Sequence, residues 1–243
     1  MRCLISAIVS TAVVISAPTL VAAASLQVSP VFLDIPAPGA TATIKLRNEG
    51  TAPLNAQIRV FKWRQDNGEE KLEPTDEVVA SPPLAKLTPN TDYVVRLVRV
   101  SKQPLENGAS YRLLVDEIPD PARARNGTIT MVLRYSIPVF FYPPNVAPPK
   151  LTWSLTQRGG RTYVSATNNG DRHARLASLK LQVASGGTIS FGEGLIGYVL
   201  GHSTKTWPVA DGKKQIVAGA PVAIVATTDT GPISASATMQ VAR

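Results

Sequence analysis

Cysteine is nearly absent from this chain of 243 residues, and the only one, Cys3, lies at the very start. A single cysteine excludes a framework of intrachain disulfide bonds, and it excludes zinc sites built from several thiolates. A chain of this length can nevertheless bury a sizeable hydrophobic core. We therefore expect its stability to come from packed apolar side chains.

Charged residues are also scarce, at 17% of the sequence against 44% hydrophobic residues. That balance excludes a disordered chain, and 20 prolines and 17 glycines without a three-residue period exclude collagen. The formal net charge of +8 comes from scattered Lys and Arg residues, with no basic run interleaved with aromatic residues. This distribution is that of a soluble folded protein and does not predict binding to nucleic acid.

The first 24 residues differ from the rest. Arg2 gives a short positive start, an apolar stretch runs from Leu4 to Ala17, and small residues occupy positions 22–24. This pattern is typical of a cleaved secretory signal peptide, and Pro18 and the short apolar length argue against a membrane helix. We therefore predict a signal peptide over residues 1–24, export of the remainder, and no membrane insertion.

The remainder alternates short β-type runs with turn signals. Thr41–Arg47 places its apolar residues on one face and its polar residues on the other, as in a half-buried strand. Similar runs recur to the end of the chain, and no confident helix appears. Pairs that favour positive φ at hairpin corners separate several of them: Asn67-Gly68, Asn107-Gly108, Asn126-Gly127, Asn169-Gly170 and Asp211-Gly212. The chain is predicted to be all-β.

A proline-rich segment, residues 143–150, divides the β-type runs into two groups. Four of its residues are prolines and lack a backbone N–H, so it cannot be a central strand. We interpret it as a stiff interdomain linker. The predicted domains are therefore residues 25–142 and 151–243.

Residues able to carry out catalysis or bind a metal do not converge in the sequence. The histidines, His173 and His202, have no carboxylate at ligand spacing, and Ser203 lacks the Gly-x-Ser-x-Gly pattern of a nucleophile elbow. Asp116 and Glu117 are adjacent on a predicted strand, so their side chains point to opposite faces. We predict no catalytic residue, no metal site and no cofactor, hence no enzymatic activity.

One predicted strand, residues 128–142, has large apolar residues along one face: Ile129, Met131, Leu133 and Tyr135. Such a stripe can belong to the core of its own domain. It can also lie on an edge strand that lends its side chains to a partner, and Pro138 fits an edge position. Periodicity alone leaves both interpretations open.

An ordered set of motifs over nearly the whole chain resembles the periplasmic chaperones of chaperone-usher pilus assembly, and most closely their archaic branch. The motifs are Ser29-Pro30-Val31, Ser81-Pro82-Pro83, Tyr93-Val94-Val95-Arg96-Leu97, Tyr111-Arg112-Leu113, Asp116-Glu117-Ile118-Pro119, Pro138-Val139-Phe140-Phe141-Tyr142-Pro143, Tyr198-Val199-Leu200 and Ser203-Thr204-Lys205-Thr206-Trp207. The resemblance implies two immunoglobulin-like β-sandwich domains in an L-shaped arrangement.

The resemblance also implies a function in the periplasm. Such chaperones complete a pilus subunit that lacks one strand, here with Ile129, Met131, Leu133 and Tyr135, and deliver it to an outer-membrane usher. It leaves open whether the free chaperone caps its own edge by self-association. The alternative is an exported adhesin or pilus structural subunit, which would instead carry an N-terminal donor extension and an incomplete sandwich.

Two charged sites follow from the resemblance as well. An interdomain ion-pair network falls on Arg96, Glu117 and Asp229 by motif. The family's anchors for the subunit's terminal carboxylate fall near Pro30 and at Pro138, where neither residue supplies a charge. Anchoring of the carboxylate is therefore either lost or transferred to another cleft residue, for which Arg112 and Arg134 are the candidates.

Overall fold

The structure, a computed structural model, describes residues 26–119, 132–183, 186–210 and 216–241. Within these ranges the regular elements are all strands, and none of the described segments is a helix that could cross a membrane. The predicted signal peptide lies outside the described residues. The strands before the proline-rich segment are β1 Leu26–Ser29, β2 Leu33–Pro36, β3 Thr41–Asn48, β4 Leu54–Asp66, β5 Glu69–Pro74, β6 Val78–Ser81, β7 Leu84–Leu87, β8 Asp92–Arg99, β9 Ala109–Ile118 and β10 Arg134–Tyr142.

The first group of strands forms two sheets packed face to face. One is ordered β1-β3-β8-β6 and the other β2-β10-β9-β4-β5, with β7 beside β4. Inward-facing residues alternate with exposed ones along each strand, as the period of a half-buried strand requires. The core between the sheets includes the fully buried residues Ile44, Leu46, Leu97, Leu113 and Val115.

The second group begins after the proline-rich segment and forms its own core. Its strands are β11 Leu151–Arg158, β12 Arg161–Asn168, β13 Ala174–Val183, β14 Gly187–Ser190, β15 Leu195–Val199, β16 Thr204–Pro208, β17 Pro221–Thr228 and β18 Gly231–Val241. They follow the order β14-β13-β17-β18-β11-β12-β16, with β15 beside β13. β18 connects the two halves of this strand order, because it pairs with β17 up to Thr238 and with β11 from Met239 onward.

The proline-rich segment is fixed to the second group of strands. The backbone N–H of Ala147 donates to the Asp171 carboxylate at 2.9 Å, and that of Lys150 donates to the Asn168 side chain at 3.0 Å. Gly170 packs so closely that a Cβ there would lie 2.0 Å from the carbonyl oxygen of Pro148. The segment predicted as a stiff interdomain linker is therefore packed against the second domain.

Candidate functional site at the domain junction

Part of β10 has a strand on only one side. β10 pairs antiparallel with β9 from Arg134 to Phe141, whereas β2 pairs with it only from Val139 to Tyr142. Within the described part of the chain, no strand covers the other side of residues 134–138. This stretch is an open sheet edge, a template for pairing with another chain.

The direction of the backbone groups on this open edge follows from one hydrogen bond. The N–H of Glu117 on β9 donates to the carbonyl of Leu133 at 2.9 Å. Alternate residues of an antiparallel strand point their N–H and C=O groups the same way, so Arg134 and Ser136 point theirs to the open edge. Pro138, the next in phase, has no N–H to present, so its presence costs the ladder nothing.

The structure describes half of the apolar stripe expected to serve a partner. Ile129 and Met131 lie outside the described residues. Leu133 and Tyr135 are half-buried against the core of the first domain, and the Tyr135 hydroxyl donates to the carbonyl of Leu26 at 2.7 Å. The side chain of Tyr135 is therefore engaged within its own domain.

Arg112 lies where the two domains meet. Its guanidinium stacks on the indole of Trp63, 3.6 Å from the ring centroid, and 5.7 Å from the ring of Tyr198 of the second domain. It contributes to the wall of a cleft of about 770 Å³. Residues of both domains line this cleft, among them Val31, Asp34, Pro138, Arg175 and Asp229.

Arg134, the other candidate anchor, is engaged by a carboxylate. Asp116 pairs with Arg134 on one oxygen and with Arg59 on the other, the latter at 2.6 Å. Burial alone would raise the pKa of Asp116, but the hydrogen bonds from the two arginines outweigh it and hold that pKa below its ordinary value. A second carboxylate would compete with Asp116 for Arg134.

The ion-pair network expected from Arg96, Glu117 and Asp229 is not the one in the structure. Arg96 is exposed on β8, in the four-stranded sheet, and no described carboxylate pairs with it. The carboxylate of Glu117 accepts the N–H of Leu133, and Asp229 pairs with Arg175 at 3.4 Å within the second domain. The assignment failed because β8 presents Arg96 on its outer face, in phase with Val94 and not with the buried Val95 and Leu97.

A buried glutamine joins the domains instead. The amide nitrogen of Gln65 donates to the Tyr198 carbonyl at 2.7 Å, and its oxygen accepts the Leu200 N–H at 2.9 Å. The side chain thus satisfies two backbone groups as a neighbouring strand would. Arg172 adds an ion pair to Asp34 at 2.7 Å. Burial raises the pKa of Asp34, and the nearby Arg172 offsets only part of that rise.

Aromatic side chains fill the rest of the junction. Trp63 and Phe140 of the first domain pack against Tyr198 of the second. His173 stacks flat on Phe140, with the ring centroids 3.6 Å apart. Burial, with a smaller contribution from the neighbouring Arg172, lowers the pKa of His173 to about 4. The imidazole is therefore neutral at ordinary pH.

The turn between β4 and β5 reaches the second domain at β16. The N–H of Thr206 donates to the carbonyl of Gly68 at 3.1 Å. Just beyond the turn, the Glu70 carboxylate lies 3.6 Å from Arg112 and 3.3 Å from Lys205 of β16. One acidic side chain thus connects the cleft arginine to the second domain.

Among the described residues, no three His, Cys, Asp or Glu side chains converge to hold a metal ion. His202 instead bonds to Asp171 at 2.7 Å, a pair that the spacing in the sequence did not suggest.

The junction contains cations, apolar rings and an open strand edge. Such an arrangement suits the binding of an extended chain segment.

Comparison with solved structures identifies this architecture. A chain of the CsuC–CsuE chaperone–tip adhesion subunit pre-assembly complex, from the archaic chaperone-usher Csu pili of Acinetobacter baumannii, is 27% identical, with a TM-score of 0.69 over 89% of this chain and 100% of that one. The complex of Salmonella enterica SafA pilin with the SafB chaperone gives 19% identity and a TM-score of 0.59, over 90% of this chain and 98% of that one. The Pseudomonas aeruginosa CupB2 chaperone gives 21% and 0.55, over 86% and 98%.

These likenesses confirm the predicted all-β fold of two immunoglobulin-like domains. No curated protein sequence matches this chain. A family model also matches the chain, and the family that it describes consists of chaperones and not of enzymes. The model of the pili and flagellar-assembly chaperones, PapD N-terminal domain, matches residues 25–147, and the chain therefore belongs to the pilus-assembly chaperone family.

Proposed function

We propose that this protein is a periplasmic chaperone that completes pilus subunits by donating a strand and delivers them to an outer-membrane usher. The observation that carries the proposal is the open edge of β10 at residues 134–138. In the sequence, this edge overlaps the end of the predicted apolar stripe. The signal-peptide pattern of residues 1–24 supports the location.

The donor set that we propose is Ile129, Met131 and Leu133. Tyr135 is left out because its hydroxyl donates a hydrogen bond to the Leu26 carbonyl of its own domain. Burying a large apolar side chain contributes roughly 1.5 to 3 kcal/mol, so three of them and a ladder of backbone hydrogen bonds can stabilise an incomplete sandwich. No nucleotide is required for this exchange of contacts.

Arg112 is the anchor that we propose for the terminal carboxylate of the subunit. Its guanidinium borders the cleft, and stacking on Trp63 leaves the in-plane N–H groups able to donate. Arg134 is less suited because Asp116 already occupies it.

Delivery to the usher requires a surface that stays available while the donor strand is occupied. Three apolar side chains are exposed on the outward face of the β7-β4-β9-β10 end of the sheet: Leu84 at 58%, Ile118 at 37% and Val132 at 48%. Exposed apolar side chains on one face can form part of an interaction surface. We assign this surface to the usher.

An exported adhesin or pilus subunit is the alternative. An incomplete sandwich is expected of a subunit, whereas each domain here has its own core of buried apolar residues. Without a subunit, the open edge of β10 can also pair with a second copy of this chain. Sedimentation of the free protein tests that self-association.

The deciding experiment is Met131→Glu, with Val132→Glu as its matched control. Both add one carboxylate at adjacent positions of the predicted donor segment, and the alternation expected of a strand would place the two on opposite faces. We expect Met131→Glu to keep its melting temperature within a few degrees and to lose co-purification of subunits from periplasm, because a charge cannot enter an apolar groove. Val132→Glu should still capture subunits. Normal capture by folded Met131→Glu would refute strand donation.

A further inference from the structure

We infer that Glu70 and Lys205 are positioning residues for Arg112. The ammonium of Lys205, on the second domain, attracts the Glu70 carboxylate. Glu70 then lies close enough to Arg112 to orient its guanidinium, but too far away to accept a hydrogen bond from its N–H groups. Arg112 is thereby kept open to a single carboxylate of a subunit. The inference rests on the proposed function and adds two residues to its anchor site.

Distances support the positioning role. Glu70 lies 3.3 Å from the Lys205 ammonium but 3.6 Å from the Arg112 guanidinium, which is too long for a hydrogen bond. Among the described residues, no other carboxylate pairs with Arg112, and its side chain is only 14% exposed. The guanidinium stacks on Trp63 at the wall of the cleft, so its in-plane N–H groups can be reached by a carboxylate that enters the cleft.

The charge balance of the cleft points to one anion. The charged groups of the cleft and of the pairs attached to it are Arg112, Arg172, Arg175 and Lys205, against Asp34, Asp229 and Glu70. Arg172 and Arg175 each have their own carboxylate. The excess of one positive charge therefore falls on the Arg112–Glu70–Lys205 cluster, where a single carboxylate would neutralise it.

The backbone fixes Glu70 relative to the second domain. Its hairpin is tied to β16 by the hydrogen bond from the Thr206 N–H to the Gly68 carbonyl, 3.1 Å long. Lys205 precedes Thr206, and its side chain is 17% exposed, so it has little freedom to move away. If Lys205 lost its charge, Glu70 would be free to close on Arg112 and compete with the subunit.

The test is a double-mutant cycle on subunit capture, using the pilus subunit that co-purifies with the unaltered chain. We expect Lys205→Gln to weaken capture about tenfold. In a Glu70→Gln background the same change should have an effect below about twofold, because the competitor is gone. Equal losses in both backgrounds would show that Lys205 acts only as a distant charge and would overturn the inference.

Two further measurements separate this inference from the proposed function. A subunit with an extended C-terminus lacks the carboxylate at its usual place, so Lys205→Gln should not weaken its capture. In the free chain, Glu70→Gln should raise the picosecond to nanosecond mobility of the Arg112 Nε–H group in ¹⁵N relaxation. Unchanged mobility would contradict positioning by Glu70, whereas failure of the unaltered chain to capture any subunit would contradict the proposed function itself.

Discussion

At the scale of single residues, His173 is a titratable side chain packed into the aromatic cluster of the domain junction. Its ring is stacked on Phe140 beside Arg172, and its pKa is about 4. An unfolded histidine titrates near 6.5, so the unfolded state binds a proton over this interval while the folded state does not. The free energy of unfolding should therefore fall as the pH drops from about 6.5 to about 4.

His173→Leu should remove this part of the pH dependence. Between the two pKa values, the titration of His173 changes the free energy of unfolding by at most about 3 kcal/mol. The leucine variant should lose less stability in acid by the same amount. Urea unfolding at a series of pH values measures it. His202→Gln is the control, because that side chain lies outside the aromatic cluster and the variant keeps the contribution of His173. An unchanged slope in His173→Leu would contradict the burial of a neutral imidazole.

Gly68 shows how a single residue can be predicted from sequence in one respect and missed in another. The Asn67-Gly68 pair predicts a hairpin corner, and both residues have positive φ, 53° and 85°. The sequence could not show that this corner touches β16, because Thr206 lies far along the chain. Asn169-Gly170 looked similar, but the Asn168 side chain bonds the Gly170 N–H and holds the proline-rich segment.

At the scale of elements, the β4–β5 hairpin connects the two domains. A Cβ on Gly68 would lie 2.3 Å from the Thr206 hydroxyl, so Gly68→Ala forces the turn away from β16 and strains a positive φ as well. We expect a loss of about 1 to 3 kcal/mol in the free energy of unfolding. Gly160→Ala is the matched control, since that glycine also has positive φ but open space around it.

Chemical denaturation of both variants checks this prediction. Equal losses would mean that backbone strain alone explains the effect. A larger loss in Gly68→Ala than in Gly160→Ala would measure the contact with β16.

The long strands could be predicted from the sequence and several short ones could not. Thr41–Asn48 and Leu54–Asp66 alternate over enough residues for the period to be recognised. Strands of four residues, such as β1, β2 and β6, hold two inward positions each, too few to define a period. Their pairing depends on the neighbouring strand and not on local pattern.

At the scale of the whole molecule, the junction is the part that sequence reasoning missed. Gln65 bonds residues more than 130 positions away, and no local pattern indicates such contacts. Motif likeness suggested an ionic junction, whereas an amide and aromatic rings predominate. One local signal was available: Gln65 is in phase with the buried Trp63 on β4, a polar residue on a buried face.

Gln65→Ala should uncouple the domains. The change leaves the Tyr198 carbonyl and the Leu200 N–H without their partner, at about 1 to 3 kcal/mol for each buried group. We expect calorimetry to show one thermal transition for the unaltered chain and two for Gln65→Ala. Asn55→Ala, an exposed position of the same strand, should leave the single transition in place. A single transition in Gln65→Ala would mean that the aromatic contacts suffice.

Pro138 limits how far a guest strand can extend along the edge of β10. Upstream of it, Arg134 and Ser136 each offer an N–H and a carbonyl, whereas Pro138 offers only a carbonyl and β2 occupies the edge from Val139. A subunit strand that pairs with this edge, as we propose, would therefore meet β2 if it extended past Pro138. Its position along β10 would then be set by the backbone of the chaperone and not by the sequence of the bound segment.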